Sequence, residues 1–146
     1  MAALRLLTLA ITAIILVPSG AHLFALPAKI GMERAPYFIV QSIYSGWALF
    51  AFPIFGAILA NGAIAVAERR RDPKASRWAG SAALLILASL IVFFVWIFPA
   101  NRETVNWTLQ PEGWEALRRH WEWGHAVNAL IVFAAFLATS MAVIRR

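Results

Sequence analysis

The sequence predicts an all-α fold, an integral membrane four-helix bundle in one domain over residues 1–146, and three observations carry that prediction. Hydrophobic residues make up 62% of the chain against 14% charged, which leaves too little polar surface for a water-soluble domain of this size. The apolar residues fall in four stretches, each as long as or longer than the roughly 20 residues a helix needs to cross a bilayer. Lys and Arg sit at the ends of those stretches, where a negatively charged leaflet meets them. That placement excludes a nucleic-acid module despite the net charge of +6. Cysteine is absent, so the chain forms no disulfide, thiolate nucleophile or iron–sulfur cluster.

The first helix is predicted over about residues 4–26, almost uncharged after Arg5. A signal peptide is the rival reading, with Ser19 and Ala21 as the small residues of a cleavage site and His22 as the new terminus. The apolar run continues through Leu23, Phe24 and Leu26, which favours a retained span. The second helix, about 36–67, opens at Pro36, a residue suited to a first turn. Pro53 in its middle removes one backbone bond and crowds the Leu49 carbonyl, so a kink is predicted there. Gly46, Gly56 and Ala60 offer surfaces for close packing. The third helix, about 77–98, is stopped by Pro99, and the fourth covers about 121–144. Between these two runs a long loop, 99–120, in which "PEGWEALRRHWEW" reads as a short interfacial helix with Pro111 at its start. No repeat or low-complexity tract is present.

Orientation follows from the basic residues. Arg69, Arg70, Arg71, Lys74 and Arg77 lie between helices two and three, and Arg5, Arg145 and Arg146 lie at the chain ends. Eight basic and two acidic residues thus share one side, and five of each share the other, so the whole net charge belongs to one face. The positive-inside rule makes that face cytoplasmic, with both termini on it. The chain is expected in a bacterial inner membrane with lipids as its surroundings.

Polar residues inside membrane helices are costly to keep, and here they gather at one depth. His22 lies near the outer end of the first helix. Tyr37, Gln41, Tyr44 and Ser45 share a face of the second, Asn101 follows the third, and Trp121, Glu122, His125 and Asn128 recur every three or four residues on the fourth. The other half offers Thr8, Thr12, Asn61, Thr139 and Ser140, which local bonds satisfy. For either His22 or His125 alone, an interfacial anchor or a helix-to-helix hydrogen bond is the plainer role, and His120 reads as solvated. Glu122 and His125 have the Glu-x-x-His spacing of di-iron bundles, but no second copy exists. One metal on His22, His125 and Glu122, or a haem between the two histidines, remain as alternatives. The expectation is no metal and no cofactor. Trp107, Trp114, Trp121 and Trp123 form an outer aromatic belt and Trp78 an inner one, while Trp47 and Trp96 are expected to line an apolar pocket.

Four helices, the Pro99-Ala100-Asn101 sequence after the third, and Trp121 and His125 four apart in the fourth resemble the small membrane family of unknown function that includes the anthrone oxygenases. The segments "AHLFALPAKIGM", "QSIYSGWALF" and "NRETVNWTLQPEGWEALRRHWEWGHAVNA" look like one uncharacterised bacterial branch of it, and the resemblance covers most of residues 20–130. Where many relatives carry Arg three residues after the histidine, this chain has Asn128. The resemblance implies cofactor-independent oxidation of an activated polycyclic phenol by O₂.

Three functions of different classes follow. The first is an oxygenase-like protein that acts on or binds an apolar aromatic or quinone-like molecule in an outer-leaflet pocket. His125 would be its base, because a neutral imidazole suits removal of a proton from an acidic substrate. Glu122 or Asn128 would orient His125, Gln41, Tyr44 and Asn101 would bond the developing oxyanion, and His22, Trp47, Trp96 and Trp121 would complete the binding site. The second is a structural or assembly subunit with partner membrane chains, and the third a carrier of lipid, quinone or haem. A cavity between His22 and His125 would separate the first from the second.

Overall fold

The computed structural model describes residues 1–145. The chain folds into α1 (Ala2–Lys29), α2 (Arg34–Gln41), α3 (Ala51–Glu68), α4 (Pro73–Val92), α5 (Phe98–Glu103) and α6 (Trp114–Val143), with no strand among the described residues. Four helical stretches are long and apolar enough to cross a membrane: α1, Trp47–Glu68, Pro73–Glu103 and α6. Helix α6 packs against α1 and α4, and α3 packs against the same two, so the bundle runs α1–α3–α4–α6 around its axis.

Burial explains the bundle. Thr8, Thr12, Ile15, His22 and Lys29 are the buried residues of α1, and Ala75, Ala79, Ala82, Ile86 and Ser89 those of α4. Steps of three, four and seven place each set on one seam of its helix. Three of the five on α4 are alanines, which let backbones approach closely. The opposite faces are apolar too: Leu6, Val17, Phe24, Leu59, Leu84 and Leu130 are all exposed. Helices apolar on all sides are the pattern of a membrane span or of a buried core helix. At mid-bundle, Asn61 Nδ2 donates to Ala57 O at 2.9 Å and Thr12 Oγ1 at 3.4 Å, while Thr139 Oγ1 donates to Asn61 Oδ1 at 3.0 Å. This joins α1, α3 and α6 and leaves neither polar atom of the buried Asn61 side chain unpaired. Beyond it, at the arginine-rich end, Arg5 pairs with Glu68 at 2.9 Å and Arg145 with Asp72 at 3.2 Å. Asp72 also caps α4 by accepting from the Lys74 and Ala75 amides. The Ala75 amide and then Arg145 hold its carboxyl below the ordinary carboxylate value.

Four expected boundaries are corrected. The first helix does not end near residue 26 but runs through Pro27 to Lys29, so Lys29 belongs to the bundle and not to an outer loop. The second helix is not continuous over 36–67. It breaks between two 3₁₀ turns, Ser42–Tyr44 and Trp47–Phe50, at Gly46, whose φ of 82° is left-handed. Pro53 therefore lies just past the junction where the Trp47–Phe50 turn runs into α3, and the chain breaks ahead of it at Gly46. The third span does not stop at Pro99. A π turn at Phe93–Ile97 widens the helix, with Phe98 N donating to Phe93 O, and the chain continues as α5. Finally, no separate interfacial helix starts at Pro111: Trp114 opens α6, which passes through residue 121 unbroken.

Candidate functional site

The polar residues of the histidine end meet because α1 and α6 pack side by side and α2 folds across them. His22 of α1 and His125 of α6 stack, ring centroids 3.8 Å apart and planes 22° from parallel. Trp121 stands edge-on to both, at 4.2 Å from His125 and 5.0 Å from His22. Tyr44 and Trp47, on either side of Gly46, approach His22 at 4.4 and 5.4 Å. The left-handed Gly46 turns the chain between these two aromatic residues.

Beside the rings lies a buried ion pair. Lys29 Nζ is 2.7 Å from Glu122 Oε1, with side-chain exposures of 2% and 0%. Tyr37 OH donates to the same Glu122 oxygen at 3.0 Å, Gln41 Nε2 donates to Tyr37 OH at 2.9 Å, and Lys29 Nζ donates to Tyr44 OH at 3.2 Å. The ammonium also faces the rings of Tyr44 and Trp121, each 4.6 Å away. Burial, then the Glu122 charge, pushes the Tyr44 phenol up to about 12 and raises that of Tyr37 as well. Both stay protonated at neutral pH, so Tyr37 remains a donor. Three buried atoms of this cluster have no hydrogen-bond partner: Glu122 Oε2, Gln41 Oε1 and His22 Nδ1.

The loop after α5 closes the site. Val105, Asn106 and Trp107 take positive φ in succession, and Thr104 Oγ1 accepts from Trp107 N at 3.0 Å. The turn brings Trp107 onto Tyr37 and Trp121. Asn101 Oδ1 accepts from both indoles, Trp121 Nε1 at 2.7 Å and Trp107 Nε1 at 3.1 Å. Arg118, buried in the first turns of α6, bonds Met32 O and lies 4.6 Å over the Trp114 ring, tying the α1–α2 turn down.

The structure thus brings together His22, Gln41, Tyr44, Trp47, Trp121, Glu122 and His125, with Asn101 bonded through Trp121. Other expectations change. Glu122 does not orient His125; its carboxylate is held by Lys29 and Tyr37. The side-chain oxygen of Asn101 is occupied by two indoles. Trp96 does not line this site: its ring lies against Gly124 and 5.8 Å from the His120 ring. Only a glycine fits at 124, because a Cβ there would meet Ile97 Cγ1 at 2.8 Å. Asn128 lies one turn deeper with its Oδ1 buried and unpaired. No cavity separates the imidazoles; they are in contact, which also leaves no room for a haem iron between them. Two surface clefts, of about 330 and 360 Å³, lie at the other end, lined by Lys74, Arg77, Trp78 and Ser81 and by residues around Met1 and Arg5. No metal-binding group of three or more His, Cys, Asp or Glu exists among the described residues.

Lys29 is the functional candidate that the sequence reading missed, while Tyr37, placed on the polar face by its spacing, gains its role from the contact with Glu122. A signal for Lys29 was available: it lies seven residues after His22, hence on the same face of α1. No protein-family model, curated protein or solved structure matches this chain.

Proposed function

We propose that the chain binds an apolar aromatic or quinone-like molecule at its histidine end and acts on it as an oxygenase-like protein, with that end in the outer half of a bacterial inner membrane. The observation that carries this reading is the trio of buried, unpartnered atoms, Glu122 Oε2, Gln41 Oε1 and His22 Nδ1, inside a wall of aromatic rings. Leaving a buried polar group unpaired costs about 1–3 kcal/mol, a penalty that a polar-edged ligand would relieve. A flat phenolic ring would stack on the imidazoles and on Trp47 and Trp121 while its O–H donates to one of the free acceptors, Glu122 Oε2 or Gln41 Oε1, which a quinone carbonyl could not do. Entry requires parting His22 from His125. In the bound state His125 is the base that takes the substrate proton, and Lys29 is a fixed positive charge beside the developing anion. The resemblance to anthrone oxygenases points to the same chemistry.

A structural or assembly role is the second reading, and the direct contact of His22 with His125 favours it, since the polar cluster then acts as glue between α1, α2 and α6. Native mass spectrometry of the protein released from nanodiscs separates the two. A retained small aromatic molecule, lost in His22→Ala, supports the first reading; a retained partner chain and no small molecule supports the second, and a Soret absorbance band would mark haem. Given a turned-over substrate, His125→Ala is expected to lower the rate on the order of 10²-fold with helicity unchanged. Equal and small effects of His22→Ala and His125→Ala would remove the catalytic role.

A further inference from the structure

The two ends of the bundle treat their charges differently. At the histidine end Lys29 is spent on Glu122, Arg118 on Met32 O, and Arg34 on the Gln110 and Pro111 carbonyls, and the two other cations there, Arg102 and Arg119, are exposed on an end that also exposes the acids Glu33, Glu103, Glu112 and Glu115. At the arginine-rich end the two acids, Glu68 and Asp72, are already taken by Arg5 and Arg145. Arg69, Arg70, Arg71, Lys74 and Arg77 are exposed, and none of them forms a salt bridge among the described residues. Five cations within nine residues therefore face the medium without an anion.

Two of the five are built into a site. Lys74, Arg77, Trp78 and Ser81 line a surface cleft of about 330 Å³ on α4. Their spacing of three, four and seven places them on one face of the helix. Trp78 is 41% exposed at the end of an apolar span, where an indole settles at head-group depth. Continuing along the same face, Leu84 and Ile91 are exposed and apolar. Cations at the rim, an indole and a hydroxyl below them, and an aliphatic track beyond match a phosphate head group with its acyl chain in that order.

We propose that this cleft is a binding site for an anionic phospholipid, its phosphate held by Lys74 and Arg77, its glycerol region against Trp78 and Ser81, and its acyl chain along Leu84 and Ile91. Charge complementarity selects the class. A zwitterionic lipid brings a cation of its own to a surface that lacks acids, whereas an anionic one neutralises it, each basic residue near the membrane contributing about 1 kcal/mol of attraction.

The test uses the full chain in nanodiscs of mixed phosphatidylglycerol and phosphatidylcholine, with lipid adducts counted by native mass spectrometry. Wild type is expected to retain phosphatidylglycerol at least fivefold over phosphatidylcholine. Lys74→Gln/Arg77→Gln is expected to lower that retention at least fivefold, and Arg69→Gln/Arg70→Gln/Arg71→Gln less than twofold, because those three lie outside the cleft. All the altered side chains are exposed, and an unchanged thermal midpoint verifies the fold. Equal retention of the two lipids, an equal loss in both variants, or displacement of the lipid by inorganic phosphate would each overturn the assignment.

Discussion

Glu122 binds Lys29 and Tyr37 through one oxygen and leaves the other unpaired, in a site with almost no access to solvent. A buried pair of this kind contributes little net stability against an apolar replacement, but removing one partner strands the other charge. Lys29→Met or Glu122→Leu alone is therefore expected to cost about 3–5 kcal/mol, while the double substitution recovers most of that loss. Thermal unfolding in detergent measures it, and a double variant as unstable as either single would show that the pair is not the unit of stability. Much of this cluster is legible in the sequence, because polar residues recurring every three or four positions, as Tyr37, Gln41 and Tyr44 do, must share a face. The pairing of Glu122 is not. Which residue it meets depends on the register of α1 against α6, and periodicity within one helix says nothing about register. Lys29 is hidden further by Pro27, a residue that ordinarily ends a helix but here stands within α1, just before its last residues.

Among the elements, the second span diverges most from its predicted form, and the reason lies in local backbone chemistry. Pro53 is the evident breaker, yet it stands at the third position of α3, just after the 3₁₀ turn Trp47–Phe50 that leads into the helix. The break falls at Gly46 instead, where a left-handed φ turns the chain between Tyr44 and Trp47. An added Cβ at Gly46 meets nothing within 4 Å, so the strain of Gly46→Ala is conformational alone, about 1–2 kcal/mol. Pro53→Ala should change stability by less than about 0.5 kcal/mol, as at a position away from packing and backbone strain. Comparing the two unfolding midpoints decides between a glycine break and a proline kink. Gly46→Ala should also disturb the aromatic contacts with His22, read as a change in tryptophan fluorescence that Pro53→Ala does not produce. The π turn before Pro99 was likewise unreadable, because nothing in residue order distinguishes a helix that stops at proline from one that widens to accommodate it.

At the scale of the molecule, four apolar spans and lopsided charge were the strongest signals in the sequence, since both follow from composition and need no knowledge of packing. The folded chain sharpens the charge asymmetry. Lys29 and Arg118, counted by sequence on the outer side, are buried and bonded, so they no longer act as free cations at a membrane surface. The five exposed cations of the turn between α3 and α4 then carry the charge asymmetry, and under the positive-inside rule that turn and both termini are expected in the cytoplasm. Cysteine substitution tests this cleanly because the native chain contains none. Glu112→Cys, in the loop before α6, is expected to react with a membrane-impermeant maleimide on intact cells stripped of their outer membrane. Arg70→Cys should react only after permeabilisation, and four neighbouring cations remain to hold the orientation. Labelling of Arg70→Cys from outside, with Glu112→Cys protected, would invert the chain. The histidine site would then open toward the cytoplasm, and the basic cleft on α4 would face the outer leaflet.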